Sequence, residues 1–454
     1  ERSLGSRGQK RKLDLVRRSF YLKVGEKLSH KLHGKEQSWR RELMAKLARE
    51  WLFDDRLLKY LDSRSLWRID EVTKERRSIV NELTDSYRFL SGYARSKGLA
   101  AAISVRDINL LGRKLYATFQ RKAGKVEVVN PGIAPSLAED SLSFHHLSGL
   151  ALASSADAWL LYRNLTTPSE ADFSPALKRS NSLLELILWS HVNGLLASTT
   201  SVSLAAGKSA ASLFEVQHII ANLKSQIAMP MPPVTQQAYQ YRVQLRKILL
   251  FVNVAIDPMT DMTRRGLHML SDHTDALGYA SSRSNLVISL DKVLVNSWNE
   301  VMVQHYEAGV PLVQCLNNTL AALAEAEQFA PELPAFAVYC FCPNRADAIA
   351  KRVYDLFSEV LDCFFGPQSR ASALHQKRYL LQMEERFFVI QFEGKRPRFL
   401  VFENYSELCD YLELPQPHYS AIHVDAYALP NDPLMFVFRN MRSRVVQVYI
   451  QPLK

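Results

Sequence analysis

Motifs of the common nucleotide-binding and hydrolytic enzymes are missing from this sequence. Glycine is scarce, at 17 of 454 residues, and neither the G-x-x-x-x-G-K-[ST] loop nor the G-x-G-x-x-G turn that cradles phosphates occurs. The H-E-x-x-H and G-x-S-x-G motifs of zinc proteases and serine hydrolases do not occur either. The sequence therefore predicts no catalytic residues of these classes in this chain.

Cysteine is also scarce. The five cysteines are Cys315, Cys340, Cys342, Cys363 and Cys409, an odd and sparse set that is typical of a reducing cytoplasm. Cys340 and Cys342 lie in the apolar, strand-like run AFAVYCFCP, whereas zinc sites usually separate their cysteines by two or more residues and add further ligands. We therefore predict a cytoplasmic protein with no metal site in this chain.

A long hydrophobic run is absent too. The most apolar stretch, Leu183–Leu196, is interrupted by Glu185, His191 and Asn193, so it falls short of the about 18 uninterrupted apolar residues of a membrane span. The chain begins at Glu1 without a charged and then apolar leader, which argues against a signal peptide. We expect a protein without a membrane span, and a piece of a longer chain.

Negative charge is under-represented near the start of the chain. Residues 1–50 hold 15 Lys and Arg against 6 Asp and Glu, whereas the rest of the chain holds 42 against 40. A basic face of this kind suits solvent or an acidic neighbouring domain, and no zinc finger or other nucleic-acid module accompanies it. The sequence therefore predicts a solvated or protein-docking face and no nucleic-acid partner.

Hydrophobic periodicity divides the chain into a helical part and a mixed part. Residues 11–122 repeat apolar positions every three or four residues, which predicts helices almost throughout. From Gly124 onward strand-like runs alternate with helices, among them predicted helices at 312–329, 345–365 and 405–412. We therefore predict an α+β fold: an N-terminal all-helical module, then a mixed region with mostly antiparallel strands. The predicted domains are 1–123, 124–228, 236–335 and a β-rich, truncated 336–454, with a proline-rich linker at Met229–Val234.

The segment NSWNEV at 296–301 stands out, because neither strand nor helix periodicity requires two asparagines around a Ser-Trp pair. Its local interpretation is the capped start of a helix over Trp298–Tyr306, which would present His305. The capping, first-turn and anchoring candidates of this helix are Asn296, Ser297, Trp298, Asn299 and Glu300.

Five segments, in the same order and at similar separations, resemble the class I adenylate cyclases, the enterobacterial type that makes cyclic AMP. They are DLVRRSFYLKVGEKLS (Asp14–Ser29), RKLYATF (Arg113–Phe119), GKVEVVNP (Gly124–Pro131), NGLLAS (Asn193–Ser198), and NSWNEV followed by His305. The chain departs from the family at Leu294-Val295, where Tyr-Arg is typical, and at Met302-Val303-Gln304, where Arg-Thr-Leu is usual. The resemblance covers residues 10–310.

The resemblance implies a protein that converts ATP to cyclic AMP and pyrophosphate. It implies that ATP, with Mg²⁺ or Mn²⁺, is bound by a nucleotidyltransferase-like catalytic domain of the same protein, whose Asp-x-Asp pair occurs nowhere in this chain. This chain would then be the helical tail of the catalytic region plus much of the regulatory half, with no catalytic residue and no bound cofactor of its own.

The resemblance implies that the C-terminal half of the family is regulatory, and His305 matches a histidine considered a phosphorylation or regulatory position there. The alternative interpretation of His305 is a helix-surface or core histidine without a regulatory role. A sugar-transport phosphoprotein is the partner that the resemblance implies. The alternative function of the chain is that of a non-enzymatic interaction module that docks an acidic partner through the basic N-terminal helices.

Four aspartates are predicted as turn residues instead of metal ligands: Asp257, Asp261, Asp272 and Asp275.

Overall fold

A computed structural model describes residues 9–30, 39–97, 105–148, 157–165, 167–266, 275–279, 283–307, 310–326, 333–366, 374–413, 421–425, 427 and 448–450. Its α-helices are α1 (Lys10–Val24), α2 (Trp39–Glu50), α3 (Asp55–Asp62), α4 (Ile69–Lys97), α5 (Val105–Phe119), α6 (Leu183–Val192), α7 (Leu213–Gln226), α8 (Thr260–Arg264), α9 (Pro311–Ala326), α10 (Ala346–Phe365) and α11 (Tyr405–Glu413).

The strands are β1 (Ser141–Leu147), β2 (Ala158–Arg163), β3 (Lys178–Ser180), β4 (Ser201–Ala205), β5 (Leu245–Val252), β6 (Ser289–Asn296), β7 (Val301–Glu307), β8 (Ala335–Cys340), β9 (Lys377–Met383), β10 (Arg386–Glu393), β11 (Arg396–Phe402), β12 (Ala421–Val424) and β13 (Val448–Ile450). Helices come first and mixed sheets follow, so the predicted α+β class is confirmed. None of the helices in the described ranges is both long and apolar enough to cross a bilayer.

The chain divides into two compact units. The first comprises Glu1–Arg121, Glu127–Asp140 and Trp189–Ser201, and the second comprises Lys122–Val126, Ser141–Leu188 and Val202–Lys454. The boundaries of the four predicted domains stay a prediction.

In the first unit, α1 is held by polar contacts that reach α3 and α4. The Tyr21 hydroxyl donates to Asp62 Oδ1 at 2.7 Å, and the Arg18 guanidinium pairs with Glu75 at 3.0 Å. Both Tyr21 and Asp62 are buried, and burial raises the pKa of the Tyr21 hydroxyl, with the Asp62 carboxylate adding to this effect. The helical module is thus fixed by buried hydrogen bonds as well as by its apolar stripes.

Over the residues that the structure describes, the second unit contains three sheets, with strand orders β3-β2-β1-β4, β7-β6-β5-β8 and β11-β10-β9-β12-β13. In the sheet β7-β6-β5-β8, β6 pairs antiparallel with β5 and β7, while β8 runs parallel to β5. One apolar core joins this sheet to α9, α10 and strands β9 and β10. β6 is buried along its whole length, so its polar residues are the ones whose partners matter most.

Candidate functional site

The NSWNEV segment is a hairpin turn, so the predicted helix over Trp298–Tyr306 is wrong. Asn296 is the last residue of β6, Val301 is the first of β7, and the Asn296 N–H donates to Glu300 O at 3.2 Å. Asn299 has φ +58°, the left-handed conformation that asparagine tolerates better than most residues. Residues 297–299, between the hydrogen-bonded Asn296 and Glu300, therefore form a three-residue loop whose last residue is left-handed, which is a common hairpin connection.

The side chain of Asn296 organises this turn. Its Oδ1 accepts the backbone N–H groups of Trp298 (2.9 Å) and Glu300 (3.0 Å), and its Nδ2 donates to Glu300 Oε2 at 2.8 Å. Asn296 and Glu300 are each 2% exposed. The same short polar side chain that caps helices therefore serves here as the centre of a buried turn.

Glu300 is the charged centre of the hairpin. Its Oε1 lies 2.7 Å from Lys122 Nζ and 3.0 Å from Lys125 Nζ. Burial alone would raise the pKa of this carboxyl, but the hydrogen bonds from Lys122, Asn296 and Lys125 outweigh it, so the pKa lies below its ordinary value. Glu300 is a buried carboxylate held in the charged form.

The outer residues of the turn bind the preceding segment. Trp298 Nε1 donates to Ala238 O at 3.1 Å, and Asn299 Nδ2 donates to Pro232 O at 2.7 Å. Ser297 exchanges two hydrogen bonds with Gln244, of 2.8 Å and 3.1 Å. The stretch predicted as a linker therefore contacts the hairpin through Pro232.

GKV of the GKVEVVNP segment lies against the other side of β7. Gly124 has φ +70°, and a Cβ there would lie 2.2 Å from Val303 O. Val303 N donates to Gly124 O at 2.7 Å, and Val126 N donates to Val301 O at 2.9 Å. Only glycine fits this close approach. The approach of this segment to β7 brings Lys122 and Lys125 to Glu300.

In the first unit, Asn193 of NGLLAS also links separate parts of the chain, since its side chain forms hydrogen bonds with Val129 N and Glu127 O.

His305 lies on β7 directly across from Asp291 on β6. Its Nδ1 is 2.9 Å from Asp291 Oδ1 and its Nε2 is 3.2 Å from Glu307 Oε2. The hydrogen bond to Asp291, opposed by burial and helped by Glu307, raises the pKa of His305 to about 9. The His305 ring is 38% exposed, whereas the Asp291 side chain is 2% exposed. At neutral pH the ring is an imidazolium that donates from both nitrogens.

Lys292, the neighbour of Asp291, was missed by the sequence reasoning. It is 1% exposed, donates to Thr319 Oγ1 at 3.1 Å, and lies 5.4 Å from the centre of the Tyr306 ring. Burial lowers the pKa of its ammonium group. An adjacent acid and base inside an otherwise apolar strand was the signal that could have identified both residues, since successive residues of a strand face opposite sides.

Arg352 on α10 is a second buried charge that no sequence pattern indicated. It is 2% exposed, its Nε donates to Asp275 Oδ1 at 2.8 Å, and its Nη2 donates to Asp425 Oδ2. The guanidinium carbon also lies 4.0 Å from the centre of the Tyr427 ring. Arg352 therefore connects α10 to Asp275, which precedes the helix in the sequence, and to Asp425 and Tyr427, which follow it.

Of the aspartates predicted as turn residues, Asp257 accepts its own turn's Met259 N at 3.0 Å. Asp275 accepts Leu277 N at 3.1 Å in the same way, besides binding Arg352. Asp261 lies in α8, so its predicted place in a turn is wrong, and Asp272 lies outside the described residues. Within the described ranges, no group of three or more His, Cys, Asp or Glu side chains is placed to hold a metal ion.

The donor set of the hairpin does not fit a divalent cation. Asp291 is matched by the His305 imidazolium, and Glu300 is matched by the two lysine ammonium groups. Mg²⁺ and Mn²⁺ favour several carboxylate, carbonyl or water oxygens without a competing protein cation. The chemistry that this arrangement supports is a change of charge at His305. This residue lies on β7, the strand that follows the hairpin turn.

Comparison with known proteins gives one consistent family. Residues 1–130 match the family model described as adenylate cyclase, class-I, second domain, residues 137–231 match the third domain and residues 233–396 match the fourth. The adenylate cyclase of Salmonella typhimurium strain LT2 is 32% identical over 355 residues, which cover 77% of this chain and 40% of that protein.

Other curated relatives agree. The adenylate cyclase of Escherichia coli strain K12 is 32% identical with the same coverage, and that of Proteus mirabilis is 31% identical over 353 residues, again 77% of this chain and 40% of the relative. The chain thus spans less than half the length of the relatives it matches. No solved structure matches it. Because the three domain models match in order along the chain, it belongs to the class I adenylate cyclase family.

Proposed function

We propose that this chain is the regulatory and scaffolding part of an adenylate cyclase that converts ATP to cyclic AMP and pyrophosphate. The observation that supports this role is the consecutive match of residues 1–396 to the second, third and fourth domains of the family. In this proposal ATP and its Mg²⁺ or Mn²⁺ are bound by a nucleotidyltransferase-like domain elsewhere in the full-length protein.

We further propose that His305 is the regulatory position. Nδ1–H donation to the buried Asp291 holds the ring, so Nε2, which faces the more exposed Glu307, is the nitrogen available to a phosphoryl donor. Transfer needs the neutral ring, because an imidazolium has no lone pair on Nε2. A phosphoryl group on Nε2 would place negative charge beside Glu307 and Asp291, which favours a rearrangement around β7.

The test uses the full-length protein and a phosphoramidate salt as chemical donor. We expect His305 phosphorylation, measured by mass spectrometry, to quicken as the pH rises toward 9, since the neutral fraction of the ring grows. We expect His305→Ala to keep the basal production of cyclic AMP and to lose its response to the donor. This chain alone, given ATP with Mg²⁺ or Mn²⁺, is expected to make no cyclic AMP.

The control is His30→Ala, which replaces an exposed histidine of the first unit and should leave the response intact. An unchanged response in His305→Ala would confine His305 to a structural role. Turnover by this chain alone would show that it is more than a regulatory part.

A specific surface supports a docking role for the helical module as well. A groove of about 260 Å³ between α1 and α2 is lined by apolar and basic side chains: Phe20, Lys23, Val24, Trp39, Arg40, Leu43, Met44 and Leu47. Trp39 is 69% exposed, and Phe20 and Leu43 are each 48% exposed. α1 carries six Lys and Arg against one acidic residue, and α2 carries four against two. The charge complement of this groove is an acidic protein surface.

We propose that its occupant is an acidic surface of another part of the same full-length protein. Hydroxyl-radical footprinting of Trp39 tests this, with full-length protein compared with this chain. We expect at least a several-fold slower oxidation of Trp39 in the full-length protein. Phe173, which is 92% exposed and outside the groove, serves as the reference. Equal labelling of Trp39 in both proteins would refute the docking.

A further inference from the structure

Two thiols meet at the end of β8. Cys340 is the last residue of that strand, and Cys342 follows two residues later, so both side chains emerge on the same side of the chain. Their Sγ atoms are 3.4 Å apart, and the residues are 6% and 5% exposed. Cys315, Cys363 and Cys409 instead lie on three different helices, α9, α10 and α11.

The surroundings of this thiol pair make its two members unequal. The Cys342 thiol donates to Asn344 O at 3.0 Å, and either thiol can donate to the other. The contact with Cys340, opposed by burial, lowers the pKa of the Cys342 thiol, whereas the same contact raises the pKa of the Cys340 thiol. Cys342 therefore ionises first, and a thiolate is the reactive form of cysteine.

We propose that Cys340 and Cys342 form a reversible intrachain disulfide when the protein meets a peroxide. The Cys342 thiolate attacks one oxygen of hydrogen peroxide, breaks the O–O bond and becomes a sulfenic acid, with hydroxide as the leaving group. The Cys340 sulfur then attacks the sulfenic sulfur, and the S–OH oxygen leaves as water. In total two thiols and one peroxide give one disulfide and two waters.

The disulfide has a structural consequence at the ends of the parallel strands β5 and β8. The S–S bond, about 2.05 Å long, replaces a 3.4 Å contact and removes the hydrogen that Cys342 donates to Asn344 O. Asn344 Nδ2 donates to both carboxylate oxygens of Asp257, at 3.3 Å and 3.2 Å. Oxidation therefore acts on the contact between the loops that follow β5 and β8.

The test is thiol counting on the whole chain under native conditions. Reduced protein is exposed to hydrogen peroxide, quenched, unfolded and alkylated with a maleimide. We expect two of the five thiols to disappear, a mass loss of two hydrogens on the peptide that holds Cys340 and Cys342, and full recovery with dithiothreitol. Cys409→Ser, at a cysteine more exposed than this pair, should oxidise as wild type does.

The single variants separate the two steps. Cys340→Ser should stop at the sulfenic acid of Cys342, which dimedone captures, and Cys342→Ser should leave Cys340 as a thiol. Circular dichroism checks that both are folded, and Cys340→Ala and Cys342→Ala replace any variant that is not. The proposal is overturned if five thiols survive, if the disulfide includes Cys315, Cys363 or Cys409, or if oxidation occurs only in denaturant.

Discussion

Arg352→Met is expected to destabilise the second unit by about 3–5 kcal/mol, because it leaves the Asp425 carboxylate buried without its cation. Asp425 is 5% exposed, and burial already raises the pKa of this carboxyl against the opposing effect of Arg352. The variant also removes the guanidinium from Asp275 and from the Tyr427 ring. Hydrogen–deuterium exchange of the α10 and β9 amides measures the change within this unit.

Two further variants identify the cause of that loss. Adding Asp425→Asn to Arg352→Met should recover part of the stability, since the double variant no longer buries a lone charge. Arg386→Met is the matched control, because Arg386 is more exposed and pairs with Glu384 at 3.4 Å, and it should cost less than about 1 kcal/mol. Equal losses for Arg352→Met and Arg386→Met would refute the buried-cluster account.

Glu300→Gln is expected to cost the second unit about 3 kcal/mol, because the ammonium groups of Lys122 and Lys125 lose the buried negative charge that they share. The pKa of Glu300 in the folded protein lies below its ordinary 4.5. Its contribution to stability is therefore complete above pH 4.5 and is lost as the pH falls through the lower folded value. The variant should lack this acid-dependent loss.

Urea denaturation of wild type and Glu300→Gln between neutral and acid pH, followed by exchange at the β6 and β7 amides, measures both effects. Glu393→Gln is the control, since Glu393 forms an exposed pair with Arg398 at 3.0 Å, and it should change stability by less than about 1 kcal/mol. If Glu300→Gln behaves like this control at every pH, the buried ion cluster does not stabilise the hairpin.

The helical assignments from sequence were close where one apolar stripe dominates. The predicted helix at 345–365 is α10 (Ala346–Phe365), and the one at 312–329 is α9, described over Pro311–Ala326. The predicted helix at 405–412 is α11 (Tyr405–Glu413). In each, the three- and four-residue periodicity is itself the cause of helix burial. Here the local pattern and the tertiary structure depend on the same cause, which is the burial of apolar side chains on one face of the helix.

NSWNEV shows where that agreement ends. Asn296 and Glu300 would suit a helix cap and first turn. In the structure, however, the motif connects the paired strands β6 and β7, and β6 also pairs with β5. An asparagine that accepts two backbone N–H groups serves either structure, so the motif alone did not decide between them. The pairing of β6 with β5 and the hydrogen bonds of β7 with residues 124–126, both of which involve segments from elsewhere in the chain, decided.

By itself the sequence determined the family resemblance, the order of a helical module before a mixed region, and the basic character of the first 50 residues, because these depend on residue identity and local periodicity. Only the tertiary structure decided the electrostatic states: a charged Glu300 beside two lysines about 175 residues earlier, an imidazolium at His305, and Arg352 between Asp275 and Asp425. Desolvation and Coulomb energy depend on position in space, which no local pattern encodes.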